Sequence, residues 1–277
     1  YKLKGFLEEV GLDFKKHSLK KIPVAGEVRE QIQLHIKSGN QPYIPGSSLK
    51  GAIRTALVSF FFESEGDKLI KKKGYIGEDI FGRYGNDILK YMLVSDTMPF
   101  QGDVLRIARF YKLNLESKKS TIPVIKEVIA QGSVSTFTIK TIAKKGEVED
   151  KFSFLYEGNE ESLLGIINTY SQKNIEIELE QLQKHRGNQL KDIEEFYINL
   201  LDTVIKADHS KEAYLRIGSG KTFYDNTIAQ KLSKHLLCQV IRRNYNKVDV
   251  NSFPITWTII IEGFCIEVPG WIRISKE

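Results

Sequence analysis

The sequence has few cysteines and no long apolar run. Only Cys238 and Cys265 occur among its 277 residues, so we expect no disulfide framework, and a reducing compartment is favoured. No stretch approaches the roughly 18 consecutive apolar residues of a transmembrane helix. No segment resembles a signal peptide. We therefore expect a cytoplasmic protein without a membrane partner.

The histidines do not have the spacing of a metal site. The five are His17, His35, His185, His209 and His235. They and the two cysteines do not form the two closely spaced pairs that are typical of a zinc site. We therefore expect no metal site and no cofactor.

A complete P-loop is also missing. Residues 218–222 read Gly-Ser-Gly-Lys-Thr, but the P-loop pattern needs a further glycine where Leu215 stands. An NTP-driven enzyme is therefore the weakest functional hypothesis. The two glycines allow backbone N–H groups to approach a phosphate, and Lys221 adds a positive charge, so a phosphate-contacting loop is favoured over an unliganded turn.

The charge balance permits a polyanionic partner. The chain has 41 Lys and Arg against 35 Asp and Glu, a net charge of +6. This excess is mild, and the remaining composition is ordinary for a globular protein. The length suits one large or two modest domains with a real core.

Residues 42–57 combine a glycine-containing turn with an amphipathic helix. From Leu49 onward the apolar residues recur at helical spacing, which predicts a helix over residues 48–62 with Ser47 or Ser48 as its N-cap. The free N–H groups at such an end attract anions. Lys50 and Arg54 lie four residues apart on one edge, where they either reach a bound anion or are simply solvated.

The rest of the chain predicts an α+β fold. Residues 1–152 contain mostly strand-like alternation, whereas residues 153–277 contain helical stretches, the second glycine-rich turn and two final strands. We predict a helix over residues 225–245 directly after that turn. Aromatic residues beside cations are candidates for stacking on bases, with a core role as the alternative. They are Phe110, Tyr111, Tyr214, Phe223 and Tyr224.

Residues 43–57 resemble the signature of the RAMP superfamily of CRISPR effector proteins. More narrowly, the chain is similar to the fifth-subunit family of type III-A (Csm) complexes, because residues 215–221 match that family's late glycine-rich loop. Further matching segments occur in the family's order at residues 94–96, 124–129 and 269–271. The family usually begins with a strand and a His-Ile-Gly-Ser-Gly loop, so this sequence is expected to begin after that segment.

The resemblance implies a ferredoxin-like (RRM-like) RAMP core with helical insertions. It implies a non-catalytic subunit that binds guide RNA (crRNA) toward its 3′ end, caps a filament of backbone subunits and supports crRNA maturation. Guide RNA and the complex's backbone and small subunits are the expected partners, with target RNA as a further candidate. The predicted RNA-binding residues are Gly46, Ser47, Ser48, Lys50, Arg54, Gly218, Ser219, Gly220 and Lys221.

An endoribonuclease of the same superfamily is the alternative function. Its candidate residues are Asp96, which ends a predicted strand, and His185 or His209 as acid–base groups. For Asp96 a capping or turn role is favoured over a catalytic one.

Overall fold

Helices and antiparallel strand pairs alternate along the chain, which confirms the expected α+β class. The computed structural model describes residues 3–13, 16, 18, 20–24, 26–62, 77–185, 187, 190–245 and 253–276. Its α-helices are α1 (Leu3–Glu9), α2 (Gly46–Phe61), α3 (Glu78–Phe81), α4 (Glu160–His185), α5 (Lys191–Lys206) and α6 (Lys234–Asn244). Its strands are β1 (Lys37–Ser38), β2 (Gln41–Pro42), β3 (Met92–Val94), β4 (Leu105–Asn114), β5 (Val124–Ile129), β6 (Ile139–Thr141), β7 (Glu212–Arg216), β8 (Thr256–Glu262), β9 (Cys265–Glu267) and β10 (Trp271–Ser275).

A four-stranded sheet in the order β5-β4-β8-β9 joins distant parts of the chain. Strand β4 is its long centre: Phe110 pairs with Val124 of β5 on one side and with Ile260 of β8 on the other. Strands from both sides of residue 152 thus share one sheet. The division of the chain into parts 1–152 and 153–277 stays a prediction. The ferredoxin-like arrangement also stays a prediction.

Three two-stranded sheets complete the strand pairing. Strands β1 and β2 form a hairpin, β3 pairs with β6, and β7 pairs with β10. The alternation of Ile32, Leu34 and Ile36 predicts a strand over residues 28–37, but of these residues only Lys37 belongs to a strand. Among the described residues before β1, only Val24 with Ile107 and Gln33 with Lys126 form bridges to the main sheet.

Two apolar clusters hold the elements together. In the first, Ile53 and Leu57 of α2 pack with Phe81, Met92 and Leu155. Most of the apolar face predicted for α2 is buried there, which confirms this helix. The second cluster lies between the α4–α5 pair and the main sheet and includes Leu113, Ile175, Tyr197 and Trp257.

Helix α4 is longer than the sequence predicts, and its buried face carries polar as well as apolar residues along its whole length. The apolar pattern indicates a helix only over residues 160–172, yet the observed helix ends at His185. The Asn168 side chain donates to the carbonyl of Glu212 and accepts from the N–H of Tyr214, and Ser171 donates to the carbonyl of Tyr214. Polar residues therefore complete the hydrogen bonds of the β7 backbone.

The helix predicted over residues 225–245 begins later than expected. Short 3₁₀ turns occupy Tyr224–Asn226 and Ala229–Lys231, and α6 starts only at Lys234. The Ser233 side chain caps α6 by accepting a hydrogen bond from the N–H of Leu236. A serine cap fixes the start of the helix at this point.

Candidate RNA interface

The N-terminal end of α2 is shaped by backbone contacts rather than by a serine cap. The N-cap residue is Pro45, whose carbonyl accepts hydrogen bonds from the N–H groups of Ser48 and Leu49. The prediction of Ser47 or Ser48 as N-cap is therefore wrong. Proline already has the extended conformation that the N-cap position requires, and both serines belong to the first turn.

Gly46 allows this end of the helix to touch a neighbouring strand. A Cβ atom on Gly46 would lie 2.5 Å from the carbonyl oxygen of Val94. The N–H of Gly46 donates to Oδ1 of Asp96 at 2.7 Å. Asp96 therefore caps α2, as the favoured interpretation predicts, and its carboxylate already occupies part of the expected anion site.

Lys50 and Arg54 point toward the same stretch of protein. Nζ of Lys50 donates to the carbonyls of Leu89 at 2.9 Å and Met92 at 2.7 Å. Arg54 forms a 2.7 Å ion pair with Asp87. Burial lowers the pKa of Lys50. The structure thus brings the two predicted cations together, but both also anchor residues 87–92.

The outer side of the first two turns of α2 is open. Ser47 and Ser48 are exposed. A Cβ atom on Gly51 would meet nothing within 4 Å among the described residues. Small exposed residues leave room for a ligand to approach the helix backbone.

The second glycine-rich turn is a 3₁₀ turn, Gly218–Gly220, supported by the connection between β9 and β10. Gly218 has a φ of +73° and is exposed. A Cβ on buried Gly220 would lie 2.7 Å from the carbonyl oxygen of Pro269. The N–H of Ile217 donates to the carbonyl of Gly270 at 2.8 Å. Two close backbone contacts therefore fix the shape of this turn.

A buried polar network lies next to the second turn, and sequence reasoning missed it. Nη1 of Arg216 contacts Oδ2 of Asp225 at 3.0 Å and the hydroxyl of Tyr197 at 2.9 Å. The same Asp225 oxygen accepts from the N–H of Thr222 at 3.0 Å. Thr222 also donates to Glu178, and burial together with Asp225 raises the pKa of Glu178 to about 8. The only signal in the sequence was a charged Arg216 among apolar neighbours.

One cation of the main sheet, Lys126, reaches the second glycine-rich turn. Nζ of Lys126 donates to the hydroxyl of Ser219 at 3.0 Å and lies over the ring of Phe110. Burial and the nearby charge of Lys112 lower the pKa of Lys126. Lys221 is likewise partly buried, and burial lowers its pKa. Lys126 is thus a cation of this site that the sequence did not indicate.

The structure divides the predicted contact residues by accessibility. Ser47, Ser48, Gly218 and Ser219 are exposed, Lys50, Arg54 and Lys221 are half-buried, and Gly46 and Gly220 are buried. Of the aromatic candidates, Phe110 and Tyr224 are buried, so these two belong to the core. Tyr111, Tyr214 and Phe223 are half-buried.

The candidate catalytic residues lie in separate places, and the His185 ring nitrogen Nε2 is buried without a hydrogen-bond partner among the described residues. Asp96 caps α2, Nε2 of His209 lies 2.8 Å from the carbonyl of Val204, and only the backbone carbonyl of His185 accepts a hydrogen bond, from Lys118. No group of His, Cys, Asp or Glu that could hold a metal ion occurs among the described residues, which exclude His17. None of the helices in that part of the chain combines the length and apolarity needed to cross a bilayer.

Comparison with known proteins identifies the class to which this fold belongs. The model of the RAMP superfamily matches residues 24–223, a segment that contains the whole of α2 and the second glycine-rich turn. The chain therefore belongs to the RAMP superfamily.

Within this class, the chain is similar to Csm5. It is 26% identical to the CRISPR system protein Csm5 of Methanocaldococcus jannaschii, in an alignment covering 98% of this chain and 72% of the relative. Its fold matches a chain in a cryo-EM structure of a type III-A Csm–crRNA–target RNA complex, with a TM-score of 0.66, 21% identity and coverage of 99% and 83%. A crystal structure of Csm5 from T. onnurineus matches with a TM-score of 0.57, 20% identity and coverage of 88% and 78%.

Proposed function

We propose that this chain is a non-catalytic guide-RNA-binding subunit of a type III-A CRISPR interference complex. It caps the 3′-proximal end of the guide and supports crRNA maturation and antiviral defence. The observation that carries this proposal is similarity along almost the whole chain to Csm5 in sequence, joined to a fold likeness with a chain of a crRNA-bound Csm complex.

The first contact with RNA lies at the start of α2. The hydroxyls of Ser47 and Ser48 are exposed and can donate to phosphate oxygens. The open surface at Gly51 lets the strand approach the helix. Lys50 and Arg54 give this end a positive field while they hold residues 87–92, so their contribution is electrostatic as well as structural.

The second contact lies at the Gly218–Gly220 turn. Gly218 and Ser219 are exposed there, and Lys126 brings a cation to the hydroxyl of Ser219. Gly220 shapes the turn from below. Lys221 acts through its charge, since its side chain is partly covered.

Binding at both turns depends on phosphate and shape rather than on base sequence. Hydroxyl and backbone N–H groups recognise phosphate oxygens, which every guide provides. The remaining partners are the backbone and small subunits, and target RNA paired with the guide. The thiols of Cys238 and Cys265 are free, which suits a complex working in the reducing cytoplasm.

The test is co-expression of the chain with the other subunits of its complex, followed by sequencing of the RNA that co-purifies. We expect short RNAs with a uniform 5′ sequence. Absence of RNA, or RNA of random origin, contradicts the proposal.

A variant with added negative charge tests whether the start of α2 binds the RNA. Ser47→Asp with Ser48→Asp repels phosphate, yet acidic residues in the first turn favour the helix, so we expect loss of RNA without loss of fold. The control is Gln183→Glu with Asn199→Asp, which makes the same charge change at exposed positions of α4 and α5. If the two variants retain equal amounts of RNA, Ser47 and Ser48 are not RNA contacts.

A further inference from the structure

The segment that contains α6 has cations and no acids. Between Asn226 and Asn244 the sequence contains Lys231, Lys234, Arg242 and Arg243 but no Asp or Glu. In a chain with 35 acidic residues, this is a locally strong positive charge. The proposed function does not yet use it.

The fold directs these charges outward. Leu236 and Ile241 of α6 are buried against the protein. The exposed residues on the other side form what we call the basic strip: Lys231, Lys234, His235, Gln239 and Arg242. Among the described residues, no ion pair involves Lys231, Lys234 or Arg242. Their charges are therefore available to an external partner.

The chemistry of the basic strip favours a polyanion over a protein surface. Its members are all long or polar, whereas protein interfaces place apolar and aromatic groups at their centre. Lys234 and Arg242 are eight residues apart, which is roughly 12 Å along a helix. They can therefore contact different phosphates of one strand. At the end of α6, the ring of Tyr245 packs against that of Phe253, with centroids 5.1 Å apart. Tyr245 is 43% exposed, so its aromatic ring is available to stack on a base.

We propose that the basic strip of α6 is a third RNA-contacting surface, which binds phosphates of a single strand. The proposal rests on the proposed function, because it extends the RNA path beyond the two glycine-rich turns. Arg242 and Arg243 also lie in the last turn of α6, where they complement the helix dipole. That local role uses partial charges only and leaves the outward guanidinium of Arg242 able to bind.

The experiment measures binding of the full chain to a fluorescent single-stranded RNA of about 40 nucleotides over a range of salt concentrations. The variant is Lys234→Gln with Arg242→Gln, which keeps helix-forming residues on an exposed face. We expect about tenfold weaker binding and a log–log salt slope reduced by about 1 to 2, since each phosphate contact contributes roughly 0.7 for a single strand. Circular dichroism confirms that the helix content is unchanged.

The control is Lys144→Gln with Lys145→Gln, which removes the same charge at exposed positions between β6 and α4. If both variants lose RNA affinity equally, binding depends only on net charge, and the basic strip is not a specific RNA-contacting surface. Wild-type affinity and slope in the α6 variant also overturn the inference, and leave an acidic protein surface as the partner of the strip. In either case the proposed function stands if Ser47→Asp with Ser48→Asp abolishes binding while Gln183→Glu with Asn199→Asp, which makes the same charge change, does not.

Discussion

The backbone N–H of Gly46 donates a 2.7 Å hydrogen bond to the carboxylate of Asp96. This contact places a negative charge at the positive end of α2, where the sequence predicts an external anion. The contact also explains why an aspartate at the end of a strand need not be catalytic.

Asp96→Asn separates capping from catalysis. The amide oxygen still accepts from Gly46, so we expect to lose only the charge–dipole contribution of about 0.3 to 1 kcal/mol. RNA affinity should rise because the carboxylate no longer repels phosphate. Urea unfolding and RNA titration measure both effects. Metal-dependent RNA cleavage by the wild-type chain that disappears in Asp96→Asn would instead support the endoribonuclease.

Two glycines of α2 should respond oppositely to alanine. Gly46→Ala places a methyl group 2.5 Å from the Val94 carbonyl oxygen, and we expect destabilisation of about 1 to 3 kcal/mol from overpacking. Gly51→Ala has open space and should stabilise the helix by about 0.5 to 1 kcal/mol while weakening RNA binding. Chemical denaturation and RNA titration report the two results. Unchanged RNA affinity in Gly51→Ala means that the strand does not approach here.

The double variant Lys50→Ala with Arg54→Ala should weaken RNA association and flatten its salt dependence, because two positive charges leave the start of α2. The free energy of unfolding should also fall, because the carbonyls of Leu89 and Met92 lose their donor. Each buried group left without a hydrogen bond costs about 1 to 3 kcal/mol. RNA binding is therefore measured well below the unfolding transition. Wild-type affinity across all salt concentrations contradicts the assignment of both residues.

Glu178 should make stability depend on pH. The folded protein keeps this carboxyl protonated up to a pKa of about 8, whereas the unfolded chain ionises it near its ordinary value of 4.5. Between these values the folded state binds more protons, so stability falls as the pH rises toward 8. Glu178→Gln imitates the protonated form and should lose this part of the decline. Urea midpoints from pH 5 to 9 test this.

The control for Glu178 is Glu180→Gln, an exposed change on the same helix. It should keep the wild-type pH dependence. Parallel curves for Glu178→Gln and the wild type would show that the carboxyl is ionised in the folded state at neutral pH.

Helical periodicity was a reliable guide where burial is apolar. The spacing from Leu49 predicted α2 because its inner face packs against other apolar side chains. The same reasoning stopped at residue 172 of α4, since Asn174, Glu178 and Gln181 are buried polar residues. These polar residues lie between the buried apolar residues Ile175, Leu179 and Leu182 and so interrupt the apolar pattern that indicates a helix.

The candidate site was predictable in position but not in detail. Both glycine-rich turns occur where the motifs stand, and their exposed members are Ser47, Ser48, Gly218 and Ser219. The sequence could not show that Lys50 reaches carbonyls some 40 residues away, nor that Lys126 meets Ser219. These contacts depend on long-range packing, which a local motif does not encode.

The support of Gly220 by Pro269 links the second turn to a segment 49 positions later in the sequence. Strand β10, which follows Pro269, pairs with β7, which precedes the turn. Removing the chain from Pro269 onward therefore removes the residues that support this turn from beneath. Fusions for purification or imaging are better attached where they leave the pairing of β10 with β7 intact.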